Sequence, residues 1–185
     1  GHAPPIDVAR GASGGASGSA SYSGGTFTVA GSGADIWDTA DEFRYVHQTS
    51  SGNCEMRARV ATIQNTDPWA KSGVMIREST AAGARYAAVF ITPGNGVTFQ
   101  RRTSTGGATV NTVVTGITAP RYVRIQRTST SSFRAYYSSN GSTWTQIGSN
   151  QTISMSSSAT IGLAVTSHLD GTLCTSTLGS VTATP

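Results

Sequence analysis

Short segments in which apolar and polar residues alternate, separated by turn residues, run through most of the chain. In residues 54–63 the apolar Met56, Ala58 and Val60 alternate with charged residues, and residues 121–128 show the same pattern. A period of two places alternate side chains on opposite faces of a β-strand. Roughly a dozen such segments recur every 8–12 residues, a spacing typical of β-sandwiches and barrels. The sequence therefore predicts an all-β fold, an antiparallel two-sheet β-sandwich.

Turn residues separate the predicted strands. Pro93-Gly94-Asn95-Gly96 predicts a hairpin, because Asn-Gly favours the positive φ angles of tight turns. The segment before it, 85–92, is apolar on both faces, which predicts a central place in a sheet. The predicted strands are 19–22, 26–30, 43–48, 54–63, 74–79, 85–92, 97–103, 121–128, 132–138, 143–148, 159–167 and 174–182.

The composition supports a single β domain. Only 12% of the residues are charged and about two-fifths are Ser, Thr or Gly, which argues against a helical bundle. Hydrophobic residues make up 37%, enough to bury a core, and none of them form an apolar run long enough to span a membrane. Residues 1–20 are predicted to be a Gly/Ser-rich linker or remnant, and residues 21–185 the sandwich domain.

The charge pattern points to a neutral or acidic partner rather than to nucleic acid. The chain has a net charge of +4 and a pI of about 9.4. Its arginines are scattered singly or in pairs, without the basic stripe of a nucleic-acid-binding protein. The single lysine, Lys71, is predicted to lie in a loop.

Two cysteines leave two alternatives open. Cys54 and Cys174 are far apart in the sequence, and no Cys-x-x-Cys or His pair accompanies them to suggest a metal site. They could form one disulfide between an early and a late strand, or remain two buried thiols. A disulfide would indicate an oxidising compartment.

Six segments together resemble a known class of domains. They are GADIWDTADEFRYVHQ, GNCEMRARV, WAKSGVMIRES, AAVFITPGNGVTFQRRTSTGG, AYYSSNGSTWTQIG and IGLAVTSH. In this order they resemble the concanavalin A-like jelly-roll modules of secreted bacterial proteins, which are often appended to carbohydrate-active enzymes. These modules are related in architecture to laminin-G-like and pentraxin-like domains. The resemblance covers about residues 22–183 and implies a jelly roll.

The resemblance also bears on the cysteines and on function. Members of this class usually carry other residues at the positions of Cys54 and Cys174, and terminal strands of a jelly roll commonly lie side by side. The paired replacement therefore favours the disulfide. The class includes lectins, glucanases and lyases, so the resemblance implies a fold rather than one activity.

The sequence lacks the residue patterns expected of a jelly-roll enzyme. A glycosidase needs two carboxylates flanking the scissile bond, and the Glu-x-Asp-x-x-Glu pattern of jelly-roll glucanases is absent. The segment MIRES resembles a strand of alginate lyases, but the accompanying Gln-Ile/Val-His and Tyr-Phe-Lys-x-Gly strands are missing. A non-enzymatic role is therefore favoured, with a lyase or glycosidase of the same fold as the alternative.

Acidic residues cluster in one segment. Asp35, Asp38 and Asp41 could supply oxygen ligands to a structural Ca²⁺, although the spacing is not that of an EF-hand. The alternative is that these carboxylates accept backbone N–H groups in turns. No other cofactor is expected.

A sugar site needs an exposed aromatic ring and a few planar polar groups. Trp69 is the best candidate ring, because it lies in the turn-rich stretch 65–69 between strands. Trp37 and Trp144 lie within strand-like patterns and are expected in the core.

The polar residues of the outward strand faces complete the predicted site. The arginines among them would bind a carboxylate or sulfate through two hydrogen bonds. The alternative is that these residues only form a solvated sheet face. The predicted binding residues besides Trp69 are His47, Arg77, Tyr86, Gln100, Arg102, Tyr122 and Arg124, with His168 as a weaker candidate.

The sequence thus predicts a secreted, non-catalytic carbohydrate-binding module of a bacterial polysaccharide-degrading or surface protein. Its expected partner is a neutral or acidic poly- or oligosaccharide, with no nucleic-acid or membrane partner. We expect a monomeric module tethered to other domains. A structural spacer or protein-interaction domain is a further alternative.

Overall fold

Two antiparallel sheets packed face to face form the structure. A computed structural model describes residues 18–185 and, before them, the backbone of Ile6–Arg10. The strands are β1 (Ile6–Arg10), β2 (Ser19–Ser23), β3 (Thr26–Gly31), β4 (Ile36–Trp37), β5 (Ala40–Asp41), β6 (Phe43–Ser51), β7 (Cys54–Ile63), β8 (Lys71–Arg77), β9 (Tyr86–Ile91), β10 (Val97–Arg102), β11 (Val110–Val114), β12 (Arg121–Thr128), β13 (Ser132–Ser138), β14 (Thr145–Gln146), β15 (Gln151–Thr152), β16 (Ser158–Thr166) and β17 (Cys174–Thr184). The described residues include no helix that is long and apolar enough to cross a membrane.

The strand order is that of a jelly roll. One sheet has the order β1-β6-β16-β8-β9-β10-β11, and we call it the front sheet. The other, the back sheet, has the order β14-β13-β12-β7-β17-β3-β2, and β15 pairs with β13 at its edge. A small hairpin of β4 and β5 forms a third layer. The predicted all-β sandwich is confirmed.

The main core lies between the two sheets. The inward residues of β7, including Met56 and Val60, pack in one cluster with Val74 and Ile76 of β8. These residues are at most 2% exposed, as their alternation with polar neighbours predicts. Strand β9 lies between β8 and β10 and is buried on both faces, which confirms its central place.

A second apolar cluster covers the outward side of the front sheet. It contains Tyr45, Tyr86 and Phe90 from the sheet and Ile36 from the β4–β5 hairpin. The hairpin therefore acts as a lid over this face, with Ile36 fully buried beneath it. The sequence did not predict this third layer, because a two-residue strand carries no detectable periodicity.

Other departures from prediction lie at strand ends. Strand β8 begins at Lys71, so the predicted loop position of this lysine is wrong. Strand β11 was not predicted, and the predicted strand 143–148 contributes only Thr145–Gln146. The hairpin between β9 and β10 is confirmed, with φ of +75° at Gly96. A Cβ at Gly96 would lie 2.0 Å from the Val114 carbonyl oxygen, so this turn requires glycine.

The N-terminal segment contributes to the front sheet. Strand β1 pairs with β6 inside the region predicted to be linker, and β2 begins at Ser19. Residues 1–5 and 11–17 of the predicted linker lie outside the described residues. The division into a linker and one sandwich domain stays a prediction.

The predicted disulfide is wrong, because both cysteines are free, buried thiols. Cys54 begins β7 and Cys174 begins β17, and these two strands run antiparallel side by side. At about 3.3 Å per residue the cysteines lie on the order of 30 Å apart, whereas a disulfide needs a Cα separation below about 7 Å. Burial raises the pKa of the Cys174 thiol to about 11 and also raises that of Cys54.

Candidate functional site

A pocket of about 400 Å³ opens beside the lid hairpin, at one end of the front sheet. Its side chains come from the hairpin, from β11, from the loop before β8 and the first residue of that strand, and from the loop after β16. This volume is in the range of small-molecule sites. The lining residues are Asp35, Trp37, Trp69, Lys71, Asn111 and His168.

Local hydrogen bonds hold the two tryptophan-bearing loops. The Asp35 carboxylate accepts the Ile36 N–H at 2.8 Å, and the Asp35 carbonyl accepts the Glu42 N–H at 2.8 Å, which closes the lid hairpin. The Asp67 carboxylate accepts the Trp69 N–H at 2.8 Å. Asx-type turns of this kind fix a short loop without a regular strand. Both rings are therefore held on ordered backbone.

Lys71 lies at the floor of the pocket between the two indole rings. Its Nζ is 5.4 Å from the ring centroid of Trp37 and 5.6 Å from that of Trp69. It donates to Asp35 Oδ1 at 2.6 Å and to the Ile36 carbonyl at 3.3 Å, and its side chain is 2% exposed. Burial lowers the pKa of Lys71, and the negative charge of Asp35 partly offsets this effect.

His168 joins the carboxylates on the other side of the pocket. Its Nδ1 is 3.1 Å from Asp35 Oδ2, and its Nε2 is 4.0 Å from Asp67 Oδ1. The residue has φ of +53°, an unusual conformation that directs the chain back after β16. Asp35 is thus shared by Lys71 and His168, which links the two sides of the pocket wall.

This arrangement combines apolar faces with hydrogen-bonding groups. Trp37 and Trp69 offer ring faces to C–H surfaces, while Asp35 accepts, Lys71 donates, and Asn111 can do both. A polyhydroxylated ring needs the same combination, because it has an apolar face and an edge of hydroxyl groups. Trp69, which was predicted to be exposed, is half-buried at the wall of this pocket.

The predicted arginine groove on the front sheet is wrong. Arg77, Tyr86, Gln100 and Arg102 are all fully buried beneath the lid hairpin and its neighbouring loops. Asp41 of the lid explains the burial of two charges there, since it is 2.7 Å from Arg77 Nη1 and between 2.5 and 2.8 Å from two nitrogens of Arg102. A ligand outside the protein cannot reach these residues.

Most other polar groups of the same cluster are hydrogen-bonded inside the protein, although Arg77 Nε and Gln100 Oε1 have no partner there. Arg102 donates to the Asp38 and Gly107 carbonyls at 2.7 and 2.8 Å, and Gln100 donates to the Tyr86 hydroxyl at 3.1 Å. Burial opposes the charge of Arg102, but the hydrogen bonds and charge of Asp41 outweigh it and raise its pKa. These contacts belong to the fold, because the side chains of Arg102, Gln100 and Tyr86 that make them are fully buried.

The remaining predicted binding residues do not lie together with Trp69. His47 is only 8% exposed and stacks on Tyr45 at a centroid distance of 4.5 Å, so its predicted exposure is wrong. Tyr122 and Arg124 lie on the back sheet, half-buried at its outward surface, and the structure does not bring them near Trp69. The prediction that Trp144 is a core residue is wrong, because this ring lies beside them.

The predicted calcium ligands diverge. Asp35 contacts Lys71 and His168, Asp41 contacts two buried arginines, and Asp38 is exposed in a turn. Within the described part of the chain no three His, Cys, Asp or Glu side chains are grouped to hold a metal ion. The predicted ligand set is therefore wrong, because each carboxylate has a different neighbour.

Sequence reasoning singled out Trp69 and His168 as binding residues and Asp35 as a metal ligand, but it missed the other half of the pocket. It assigned Trp37 to the core and Lys71 to a loop, and it did not consider Asn111. One signal was available: Trp69 and Lys71 are two residues apart, which places them on the same side if the strand begins there. The lid hairpin that adds Asp35 and Trp37 has no comparable signal.

Comparison with known proteins identifies the fold. No protein-family model matches the sequence, and no curated protein is detectably similar to it. A Saccharomyces cerevisiae protein of unknown function superposes with a TM-score of 0.70 at 15% identity, covering 90% of this chain and 91% of that one. The GH43 protein BlXynB from Bacillus licheniformis superposes with a TM-score of 0.60 at 12% identity. That match covers 83% of this chain but only 32% of BlXynB.

A third structure, the cellulose-induced protein Cip1, gives a TM-score of 0.56 at 13% identity and covers 98% of this chain. Identities this low show a shared fold and nothing about activity. The chain has the antiparallel jelly-roll β-sandwich fold, as its resemblance to that class predicted.

Proposed function

We propose that this domain is a non-catalytic glycan-binding module whose site is the pocket between Trp37 and Trp69. One observation carries the proposal: two indole rings lie on either side of a buried, hydrogen-bonding lysine at the floor of an open pocket. A ring of a sugar could stack against indole while its hydroxyls replace water on Asp35, Lys71 and Asn111.

The charges of the pocket favour a neutral sugar. The only ammonium group in its lining, that of Lys71, is already paired with Asp35 at 2.6 Å. Asp67 lies beside His168, so a carboxylated sugar would meet two carboxylates. Repulsion between like charges at short range disfavours such a ligand. Affinity is expected to be modest, because a small hydrated site gains little after the cost of ordering the ligand.

Binding is favoured over catalysis by the position of the carboxylates. A glycosidase needs two carboxyl groups on opposite sides of the scissile bond. Here Asp35 and Asp67 both approach the same imidazole, that of His168. A lyase or glycosidase remains the alternative that activity assays must test. We also propose that the domain acts outside the cell, tethered to other domains, because polysaccharide substrates are extracellular.

The test measures binding and turnover together. Purified protein is screened by affinity gel electrophoresis against soluble xylan, β-glucan, mannan and polygalacturonate, and hits are measured by calorimetry. Trp69→Ala and Trp37→Ala should each weaken binding of a neutral glycan by about tenfold or more, since each removes one aromatic contact. The matched control is Tyr22→Ala, because Tyr22 is 53% exposed on the back sheet, away from the pocket.

Three results would contradict the proposal. The first is binding that Tyr22→Ala weakens as much as the tryptophan variants do. The second is the absence of binding to any neutral glycan. The third is release of new reducing ends or unsaturated products, which would show an enzyme. The spacer alternative predicts the absence of both binding and turnover.

A further inference from the structure

The outward face of the back sheet carries half-buried arginines that the proposed glycan pocket does not use. We define the arginine face as Arg57 and Arg59 of β7, Arg124 of β12 and Arg134 of β13, with the adjacent ring of Trp144. The strands of the back sheet contain a single acidic residue, Glu55. Four arginines against one glutamate make this face strongly basic, although the whole chain has a net charge of only +4.

Two of these guanidinium groups are held in fixed positions. Arg57 and Arg124 are directly opposite each other across β7 and β12, a pairing of like charges that is unfavourable by itself. Glu55 relieves it, with Oε2 at 2.6 Å from Arg57 Nε and Oε1 at 2.6 Å from Arg124 Nε. The Trp144 ring supports both groups at 5.4 and 5.7 Å. The guanidinium planes are therefore preorganised.

The other two arginines have no acidic partner. Neither Arg59 nor Arg134 forms an ion pair within the described residues, and Arg134 Nε is buried without a hydrogen-bond partner. Arg59 pairs in register with Tyr122, and Arg134 pairs with Gln126, which places both on the same face as the fixed pair. Both guanidinium groups therefore carry a positive charge without an acidic neighbour, and Arg134 can reach an anionic ligand only through nitrogens other than its buried Nε.

We propose that the arginine face binds an acidic polysaccharide through its carboxylate or sulfate groups. Neighbouring strands lie about 4.8 Å apart and alternate residues along a strand about 6.7 Å apart. Four guanidinium groups at such spacings on three strands can contact successive anionic groups of one extended polymer. Guanidinium binds carboxylate and sulfate through paired hydrogen bonds, a geometry that lysine cannot supply.

The aromatic rings distinguish a polysaccharide from a single-stranded nucleic acid. Nucleic-acid-binding sheets stack bases on open aromatic faces. Here Arg124 lies over Tyr136 at 4.9 Å, and both Arg57 and Arg124 lie over Trp144. Each of these rings thus already carries a guanidinium group on one side, so charge and hydrogen bonds dominate what this face offers a ligand.

The experiment uses heparin and polygalacturonate as sulfated and carboxylated probes. The double variant Arg59→Gln/Arg134→Gln should weaken binding of at least one probe by about tenfold, because it removes two unpaired guanidinium groups. Replacing both residues with lysine should recover part of the affinity, since charge is restored without the planar fork. The wild-type affinity should fall as salt is raised.

Arg85→Gln is the matched control, because it removes one positive charge from an arginine that pairs with Glu78 elsewhere on the surface. The proposal is overturned if this control weakens binding as much as the double variant, if neither probe binds at low salt, or if a single-stranded oligonucleotide binds more tightly than both. Thermal unfolding of each variant shows that it is folded. Trp69→Ala should not change binding here, so this proposal and the proposed glycan pocket fail separately.

Discussion

The outward faces of the two sheets both carry arginine next to aromatic side chains, but only the back sheet leaves them open. On the front sheet, Arg77 and Arg102 are buried under the lid hairpin and paired with Asp41. On the back sheet, Arg57 is 38% exposed in its side chain and pairs with Glu55, whose side chain is 14% exposed. The same residue types therefore support the fold in one place and face solvent in the other.

The comparison shows that burial under a third layer changes the role of a charged side chain. A buried ion pair loses its hydration, so its partner becomes indispensable even when the pair as a whole contributes little net stability. A surface pair keeps most of its hydration and is screened by salt, so each member can be removed at small cost. Stability measurements should therefore separate the two faces.

The largest effect is expected for the acid that neutralises the covered face. Asp41→Ala leaves Arg77 and Arg102 buried without a counter-charge and should lower the free energy of unfolding by about 3–5 kcal/mol. Glu55→Ala removes the equivalent acid from the open face and should cost less, about 1–2 kcal/mol, because Glu55 is only partly buried and its arginine partners can reach water. Urea unfolding of both variants tests the comparison, and equal losses would show that the two faces do not differ.

The lid itself should be the next most sensitive element. Ile36→Ala truncates the fully buried side chain that seals the second apolar cluster, and should lower the free energy of unfolding by about 2–5 kcal/mol. Val110→Ala is the control, because Val110 is 50% exposed on β11 and its truncation should cost less than about 0.5 kcal/mol. A loss below 1 kcal/mol for Ile36→Ala, measured by urea unfolding, would mean that the lid is not part of the folded unit.

Alkaline pH should weaken the covered face. Burial raises the pKa values of Tyr45 and Tyr86, so the folded state keeps protons that the unfolded state loses. Their stabilisation is complete below the unfolded pKa of about 10 and declines above it, by up to about 1.4 kcal/mol per pH unit for each tyrosine. Lys71 has the opposite effect at lower pH. Its pKa is lowered in the folded state, so the unfolded state binds this proton more strongly and stability rises with pH until about pH 10.

Urea unfolding over a series of alkaline pH values measures this decline. Tyr86→Phe should make it less steep, although the variant loses the hydroxyl contacts with Gln100 and Thr109 at every pH. An unchanged slope in this variant would contradict the assignment.

The smallest effect is expected on the open face. Arg59→Gln and Arg134→Gln should each change the free energy of unfolding by less than about 0.5 kcal/mol, because neither residue has an ion-pair partner among the described residues. Thermal or urea unfolding at low salt checks this result. A loss above 2 kcal/mol would show that these arginines, like Arg77, support the fold rather than serve a ligand.

Most of the fold could be predicted from local patterns. The alternation in β7, β12 and β16 identified inward residues such as Met56, Val123 and Leu163, all at most 2% exposed. The turn at Gly96 was recognisable because its backbone conformation restricts the choice of residue. Strand β11 and the lid hairpin were missed, since their short or polar segments carry too little periodicity.

The candidate site was predicted only in part. Trp69 stood out because it lies among turn residues, but its partners Trp37 and Asp35 come from the lid and Asn111 from an unpredicted strand. The cysteines show the same limit. Their places at two strand beginnings were correct, yet the antiparallel pairing of β7 with β17 puts them at opposite ends.

By itself the sequence determined which residues face inward and where the chain turns, because alternation and turn preferences act between residues a few positions apart. Whether an outward face meets water or a third layer depends on a segment more than thirty positions away in the chain, such as Asp41 reaching Arg77. Only the tertiary structure decided that the arginines of the front sheet are enclosed and those of the back sheet reach the surface. The alternation along a strand sets which face a side chain lies on, but it is the same whether that face is covered by another layer or by water.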